Sequence, residues 1–261
     1  HDGRFDPAER LEILARERVA TLCMAPTEYR VIAKRTRIPA LESLRGCVAA
    51  GEALDPGAIE AWRAATGVEV RDGYGQTETG HLTGYAPGER VRPGSMGRPL
   101  PGVDLRIADG EIVVDPATVP TFFHGYVGEP PAATDRPWHT GDRAEADEDG
   151  YLWFGGRNDD IIVSAGYRIG PFEVESALGS HPAVVEAAAV AAPDDERGSI
   201  VRAFVVLADG YAGSGDLARA LQDHVKAETA PYKYPRRIDV VAELPKTASG
   251  KIRRAALRDR A

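Results

Sequence analysis

Cysteine is scarce in this sequence. Cys23 and Cys47 are two among 261 residues, and no Cys-x-x-Cys occurs. Two thiols exclude a dense disulfide scaffold and make a reducing compartment the default. Long apolar runs are missing too. No stretch reaches the roughly 18 apolar residues that a membrane helix needs, and the longest, around Ala187–Ala192, is mostly alanine and ends at Pro193. Positive charge is in deficit: Lys+Arg is 32 against 40 Asp+Glu, a net charge of −8. Nothing then offsets phosphate repulsion over a broad face, which argues against nucleic acid as a partner, while a local basic site can still hold a phosphate. The six histidines are scattered, with no His/Cys cluster at zinc-ligand spacing and no Gly-x-Ser-x-Gly nucleophile turn. There is no internal repeat and no low-complexity tract. The opening HDGRFDPAER is neither a signal peptide nor an obvious domain start.

What is present suits a folded chain: 43% hydrophobic and 28% charged residues, enough for one large domain or two smaller ones. Residues 8–18 carry Leu11 and Leu14 at helical spacing. Residues 57–66 form a second helix candidate, started by Asp55-Pro56, with Ile59 and Trp62 on one face and Gly67 as its stop. VEVRDGYGQTETG then runs from an alternating stretch into a polar loop. This alternation reads as α/β. From about 86 to 157 the texture changes to short β-like pieces (DLRIAD, EIVV, YLWF) between Pro- and Gly-rich turns, which predicts a small antiparallel or barrel-like unit. From about 160 a compact α+β unit is expected. It holds a strand and turn at DIIVSAGYRIG, a helix at PFEVESALG, strands at IVRAFVVL and RIDVVAEL, and a last helix at KIRRAALR. DLARALQDHVKAE places Leu217, Ala220, Leu221, His224 and Val225 on one helical face, where His224 reads as a packed residue.

Four segments could carry chemistry. DGYGQTETG (72–80) brackets two carboxylates, a tyrosine, a glutamine and two threonines with glycine. As a nucleotide site it offers Tyr74 as a flat face for a base, Thr77 for a phosphate oxygen and Glu78 for Mg²⁺, which needs only one or two protein carboxylates when phosphates supply the rest. A solvated turn is the alternative. In HTGDRAEADEDGYLWFGGRNDD (139–160), Asp142 could accept from both hydroxyls of a ribose and Arg157 could offer its fork to phosphate; a surface ion pair is the alternative. Asp159 and Asp160 fall at a junction where a hinge could sit. SAGYRIG (164–170) puts small residues near Arg168, so that a narrow ligand could approach the backbone, or simply makes a tight turn. PKTASGKIRR (245–254) is not a P-loop: Pro245 stands where the first glycine belongs, and Ile252 follows the lysine where Ser or Thr is required. It still delivers one compact cation, Lys251.

Together and in order, GEALDP, DGYGQTETG, HTGDRAEADEDG, GRNDDIIVSAGYRIGPFEVESAL and PKTASGKIRR resemble the adenylate-forming (AMP-binding) superfamily of acyl-CoA synthetases, luciferases and peptide-synthetase adenylation domains. YGQTE, GYRIGPFEVESAL, HPAVVEAAAV and PYKYPRRI look most like its medium-chain acyl-CoA synthetase branch. The resemblance implies a fold of three parts: the end of a large N-terminal α/β domain (1–85), a barrel-like β subdomain (86–157), and, after a hinge at 158–160 centred on Asp159, a mobile α+β C-terminal domain (161–261). It implies a ligase that joins a carboxylic acid to ATP as acyl-AMP, releasing pyrophosphate, and then passes the acyl group to CoA. Gly51, Glu52, Ala53, Asp72, Gly73 and Tyr74 would line the adenine, with Gly75 and Gln76 beside them. Thr77 would touch phosphate, Glu78 would hold Mg²⁺, Asp142 the ribose, and Arg157 and Arg168 would lie near the nucleotide and the reacting groups. Ala165, Gly166 and Tyr167 would border the CoA pantetheine, Arg197 would meet a CoA phosphate, and Lys251 would be the adenylation lysine.

The family's Ser/Thr/Gly-rich phosphate loop has no match here, and most of an acyl pocket would lie upstream. The expectation is therefore the C-terminal part of a larger cytoplasmic enzyme, inactive by itself, with room for self-association. Two other readings stay open: an adenylating enzyme that hands its acyl group to a carrier protein, and a non-catalytic fragment that binds a nucleotide or CoA.

Overall fold

The computed structural model describes residues 5–51, 54, 56–247 and 252–260. The chain divides into two compact units. The first comprises Ile13–Pro26 and Pro39–Asn158; the second comprises Asp159–Ala261 with His1–Glu12 and Thr27–Ile38. Two helices come early in the chain, α1 (Pro7–Arg16) and α2 (Pro26–Arg35). α1 buries Leu11 and Leu14 as its spacing requires and gives way to Arg18 at φ 51°. α2 was not anticipated, although Tyr29 and Ile32, three residues apart, are both wholly buried on one face.

In the first unit, β1 (Thr21–Met24), β2 (Gly46–Ala50) and β3 (Val70–Gly73) pair in parallel in that order. The register sets Leu22 beside Cys47 and Cys47 beside Val70, all three buried. Parallel neighbours need a crossover, and between β2 and β3 it is α3 (Pro56–Thr66). α3 forms as its pattern predicts. Pro56 stands at its first position, where no amide donor is missed, Ile59 and Trp62 are buried, and Gly67 ends it at φ 73°. The starting Asp55 lies outside the described residues. β3 therefore delivers Asp72 and Gly73 at the C-terminal end of a parallel sheet, where ligands of such sheets bind.

The chain then folds on itself in two short pairings, β4 (Gly75–Gln76) with β5 (Gly80–His81) and β6 (Thr83–Gly84) with β7 (Arg98–Pro99). Four longer strands follow: β8 (Leu105–Ala108), β9 (Glu111–Val114), β10 (Trp138–Ala146) and β11 (Leu152–Arg157). They form one antiparallel sheet in the order β11-β10-β9-β8. Among the described residues the sheet does not close into a barrel; β8 and β11 remain its two edges. Its core joins Ile112, Val114, Ala144 and Leu152 to Tyr74, Leu82 and Met96, so the polar loop after β3 is anchored on this sheet.

In the second unit, β12 (Ile162–Ser164) and β13 (Tyr167–Ile169) form a hairpin before α4 (Pro171–Ser180). Its two-residue turn, Ala165 at φ 48° and Gly166 at φ 84°, is the left-handed pair that matches the twist of a tight hairpin. β14 (Val184–Asp194) and β15 (Gly198–Leu207) pair antiparallel, α5 (Gly215–Glu228) follows with Ser214 accepting from Leu217 N at its start, and β16 (Arg237–Val240) lies parallel to β15. The alanine-rich run is strand β14. Ala187 and Ala189 face a core with Ile162, Val174, Leu178, Leu221 and Val225, while Ala188 and Val190 face another with Phe204, Val206, Leu244 and Leu257. Burial on both faces is why no polar alternation marked it as a strand. The last strand stops at Val240, short of the expected Leu244, and α6 (Arg254–Arg258) closes the chain's regular structure.

Candidate functional site

The first unit gathers most of the predicted nucleotide residues. β10 and β11 pair with Asp142 opposite Arg157. The buried Asp142 carboxylate accepts from several side chains. Tyr74 donates its phenol to Oδ2 at 2.7 Å, Gln76 donates Nε2 to the same oxygen at 2.5 Å, and Arg157 meets Oδ1 at 3.3 Å. Thr140 fixes the turn beneath: its hydroxyl donates to Ile112 O at 2.8 Å and accepts from Asp142 N at 3.1 Å. Burial, and then the Asp142 charge, push the Tyr74 phenol far above the ordinary tyrosine range, so it stays a donor at neutral pH. The cluster is thus one buried negative charge surrounded by hydrogen-bond donors, the arrangement that a diol could share.

Local geometry holds the Tyr74 loop in place. Leu82 N and Thr83 N both donate to Tyr74 O, at 2.8 and 3.1 Å, and Tyr74 N donates to Thr83 Oγ1 at 3.0 Å. Side chains cannot be added freely here: a Cβ on Gly75 would lie 2.0 Å from Gly80 O. Asp72, just upstream, is buried and accepts from Leu54 N at 3.2 Å and Gly73 N at 2.9 Å. Burial pushes its carboxyl up to about 7, with the two amide donors pulling the other way.

At the loop's far end Thr77 is exposed and Glu78 half-buried. Glu78 Oε1 accepts from the Tyr126 phenol at 2.6 Å, and Glu78 O accepts from Phe123 N at 2.7 Å. The described residues include no group of three His, Cys, Asp or Glu able to hold a metal alone. A single carboxylate beside a hydroxyl nevertheless fits Mg²⁺ that arrives bridged to phosphates. Sequence reasoning missed Tyr126, Thr140 and Trp138, whose Nε1 reaches Gln76 Oε1 at 3.5 Å. The aromatics of FFHGY and PWHTGD were the available signal, but aromatic clusters are usually core.

The second unit brings together another group. Ala165 N donates to Arg197 O at 3.1 Å, so the β12–β13 turn and the β14–β15 loop meet. Tyr167 stacks on Tyr232, with centroids 4.3 Å apart and an interplanar angle of 21°, and both rings are about half exposed. Tyr232 is a further residue the sequence reading did not single out. Arg168 is exposed on β13, and Asp159, the first residue of this unit's longest segment, is exposed in a short turn. His224 does not simply pack against apolar neighbours. Its Nε2 lies 2.8 Å from Ser180 Oγ, and its ring stands across His181. Glu52, Ala53 and Lys251 lie outside the described residues, whereas Gly51 is described, exposed at φ 98°. The segments flanking Lys251 are held together: Lys246 bridges Ile252, Arg253 N donates to Pro245 O at 2.8 Å, and Lys246 pairs with the buried Glu186 at 2.5 Å.

Comparison with known proteins places this arrangement. The family model for AMP-binding enzymes matches residues 1–126, and the model for the AMP-binding enzyme C-terminal domain matches residues 173–251. The human mitochondrial acyl-coenzyme A synthetase ACSM4 is 47% identical, over 98% of this chain and 48% of the relative. The uncharacterized acyl–CoA ligase YtcI of Bacillus subtilis (strain 168) is 48% identical, over 100% of this chain and 52% of the relative. Among solved structures, the anthranilate CoA ligase AuaEII in complex with anthranoyl-AMP superimposes with a TM-score of 0.88 at 36% identity, covering 98% of this chain and 52% of that one. ATP-bound MatB from Rhodopseudomonas palustris gives 0.85 at 28% identity, covering 98% and 53%. The chain therefore spans about half the length of the relatives it matches, and across that span it belongs to the AMP-binding, adenylate-forming enzyme family.

Proposed function

We propose that this chain forms part of an AMP-forming acid–thiol ligase that makes an acyl-CoA. Asp142 carries the reading: a buried carboxylate among phenol, amide and guanidinium donors accepts the two ribose hydroxyls of ATP, exchanging like for like as they bind. Tyr74 and Asp72 border the adenine. Thr77 donates to a phosphate oxygen, and Arg157 offers charge to the phosphates. Glu78 would hold Mg²⁺, which when bound neutralises phosphate charge. In the first half-reaction a substrate carboxylate oxygen attacks the α-phosphorus and the bond to the pyrophosphate leaving group breaks. Lys251 supplies positive charge where negative charge develops on the transferred group, a term often worth several kcal/mol. In the second, the CoA sulfur attacks the acyl carbon, AMP leaves, and the thiol proton goes to solvent.

Asp159 is the proposed hinge that exchanges Lys251 for the Ala165–Gly166–Tyr167 turn between the two halves. The contact between Ala165 and Arg197 favours free CoA over a carrier-bound pantetheine, because it brings a guanidinium-bearing loop, able to meet a nucleotide phosphate, to that turn. A cytoplasmic setting belongs to the same proposal. No helix among the described residues is long and apolar enough to cross a membrane.

The test is calorimetry of the full chain with AMP, ATP and CoA. The chain is expected to bind AMP. Asp142→Ala should weaken that binding about a hundredfold or more, since two hydrogen bonds to a charged acceptor are worth about 1.5 to 3 kcal/mol each. A chain that binds none of the three, or an alanine variant that binds AMP unchanged, overturns the proposal.

A further inference from the structure

The segment Thr121–Tyr126 is stitched to the candidate phosphate loop at three successive points. Thr121 Oγ1 donates to Thr79 O at 2.6 Å, Phe123 N donates to Glu78 O at 2.7 Å, and the Tyr126 phenol donates to Glu78 Oε1 at 2.6 Å. The first ties a side-chain hydroxyl to the loop backbone, and the second joins backbone to backbone. The third reaches across 48 residues of sequence to a carboxylate. The Tyr126 ring is half exposed, so burial contributes little to holding it. It is braced from one side: Phe123 meets it edge-on at 5.0 Å, Phe123 in turn lies 5.4 Å from Trp138, and Trp138 touches Gln76 in the same loop. A tyrosine held this way at the surface orients the group it donates to more than it stabilises the fold.

We propose that Tyr126 is a positioning residue for the metal-binding carboxylate. Its phenol holds Glu78 by Oε1 and so presents Oε2 to a divalent cation that arrives with the triphosphate. This rests on the nucleotide reading of the same loop. A carboxylate on an exposed loop samples several rotamers, and only some face the incoming ion. Fixing one oxygen removes that search before binding, as outer partners of metal ligands do.

The experiment measures ATP affinity of the full chain by calorimetry, once with EDTA and once with Mn²⁺, and takes the ratio as the metal-dependent gain. The wild-type chain should bind ATP more tightly with Mn²⁺. Tyr126→Phe should lose about tenfold of that gain while its affinity for metal-free ATP stays unchanged. A purely structural role would lower both affinities together. Glu78→Gln should abolish the gain, and adding Tyr126→Phe to it should change nothing more, because the two act through one group. Circular dichroism checks that each variant is folded. If the wild type binds no ATP under either condition, the nucleotide reading falls and this proposal with it. If the wild type shows the gain and Tyr126→Phe keeps it, only the positioning role is overturned.

Discussion

Gly75 and Gly166 both sit in tight turns beside candidate ligand groups, and their surroundings are opposite. A Cβ on Gly75 would meet Gly80 O at 2.0 Å and Gly80 C at 2.8 Å, within a loop whose amides are tied back to Tyr74 O and whose Tyr74 packs into the β-sheet core. A Cβ on Gly166 would meet nothing within 4 Å, and the turn it forms is exposed. The first turn is crowded because it sets side chains in advance: Tyr74 and Gln76 already point their donors at Asp142. The second leaves the space beside its backbone open. The first unit is preorganised around a charge, and the second presents a surface.

That contrast breaks most sharply at Gly75→Ala. The obstructing atom is a backbone carbonyl and not the end of a flexible side chain, so the β4–β5 pairing must open to admit the methyl. The expected cost is about 3 kcal/mol, the upper range for forcing a methyl into a filled site. AMP binding should be lost with it, because Tyr74 and Gln76 leave Asp142. Urea unfolding and AMP calorimetry measure the two effects. A variant within about 0.5 kcal/mol of wild type would show that the loop is slack and the contrast unfounded.

The pH response of the first unit is a second test, of comparable size. Burial holds the Asp72 carboxyl near 7, well above an unfolded carboxylate at 3.8. Since the folded value is the raised one, the folded state keeps a proton that the unfolded state has lost. Stability from this group is whole below about pH 4, declines as pH rises towards 7, and is flat above. The full span corresponds to at most about 4 kcal/mol at 1.36 kcal/mol per unit. In Asp72→Asn this slope should vanish. The variant also replaces one of two carboxyl acceptors by a donor facing an amide, so its absolute stability falls at every pH, and the readout is the difference in slope between pH 5 and pH 8. Parallel profiles for the two proteins would mean that Asp72 ionises freely.

Much of this was legible in the sequence where one residue type answers one physical need. Pro56 and Gly67 bracket α3, Ile59 and Trp62 mark its buried face, and the glycines of DGYGQTETG announce a loop that side chains could not enter. Two kinds of information were not legible. Strand β14 carries no alternation because both its faces are covered, so periodicity had nothing to detect. α2 was overlooked because its buried pair, Tyr29 and Ile32, is diluted by Glu28, Arg30, Lys34 and Arg35. In the site, the family resemblance marked Asp142, Gln76 and Arg157 separately, but that they share one carboxylate depends on the β10–β11 register. Tyr126 is invisible to spacing arguments because its partner lies 48 positions away.

The smallest effect is expected at Gly166, where it separates backbone shape from empty space. Gly166→Ala places a side chain at φ 84° with nothing to collide with, so only left-handed strain remains, about 1 kcal/mol. Gly166→Asn should cost a few tenths of that, about 0.3 kcal/mol, since asparagine tolerates this region and suits a tight hairpin. CoA affinity should rank the other way. If the turn matters because a pantetheine passes over it, the bulkier asparagine obstructs more than alanine even though it folds better, and calorimetry with CoA should show the larger loss for asparagine. If affinity instead tracks stability across the two variants, the turn serves only to connect β12 and β13, and the open surface of the second unit has no part in binding.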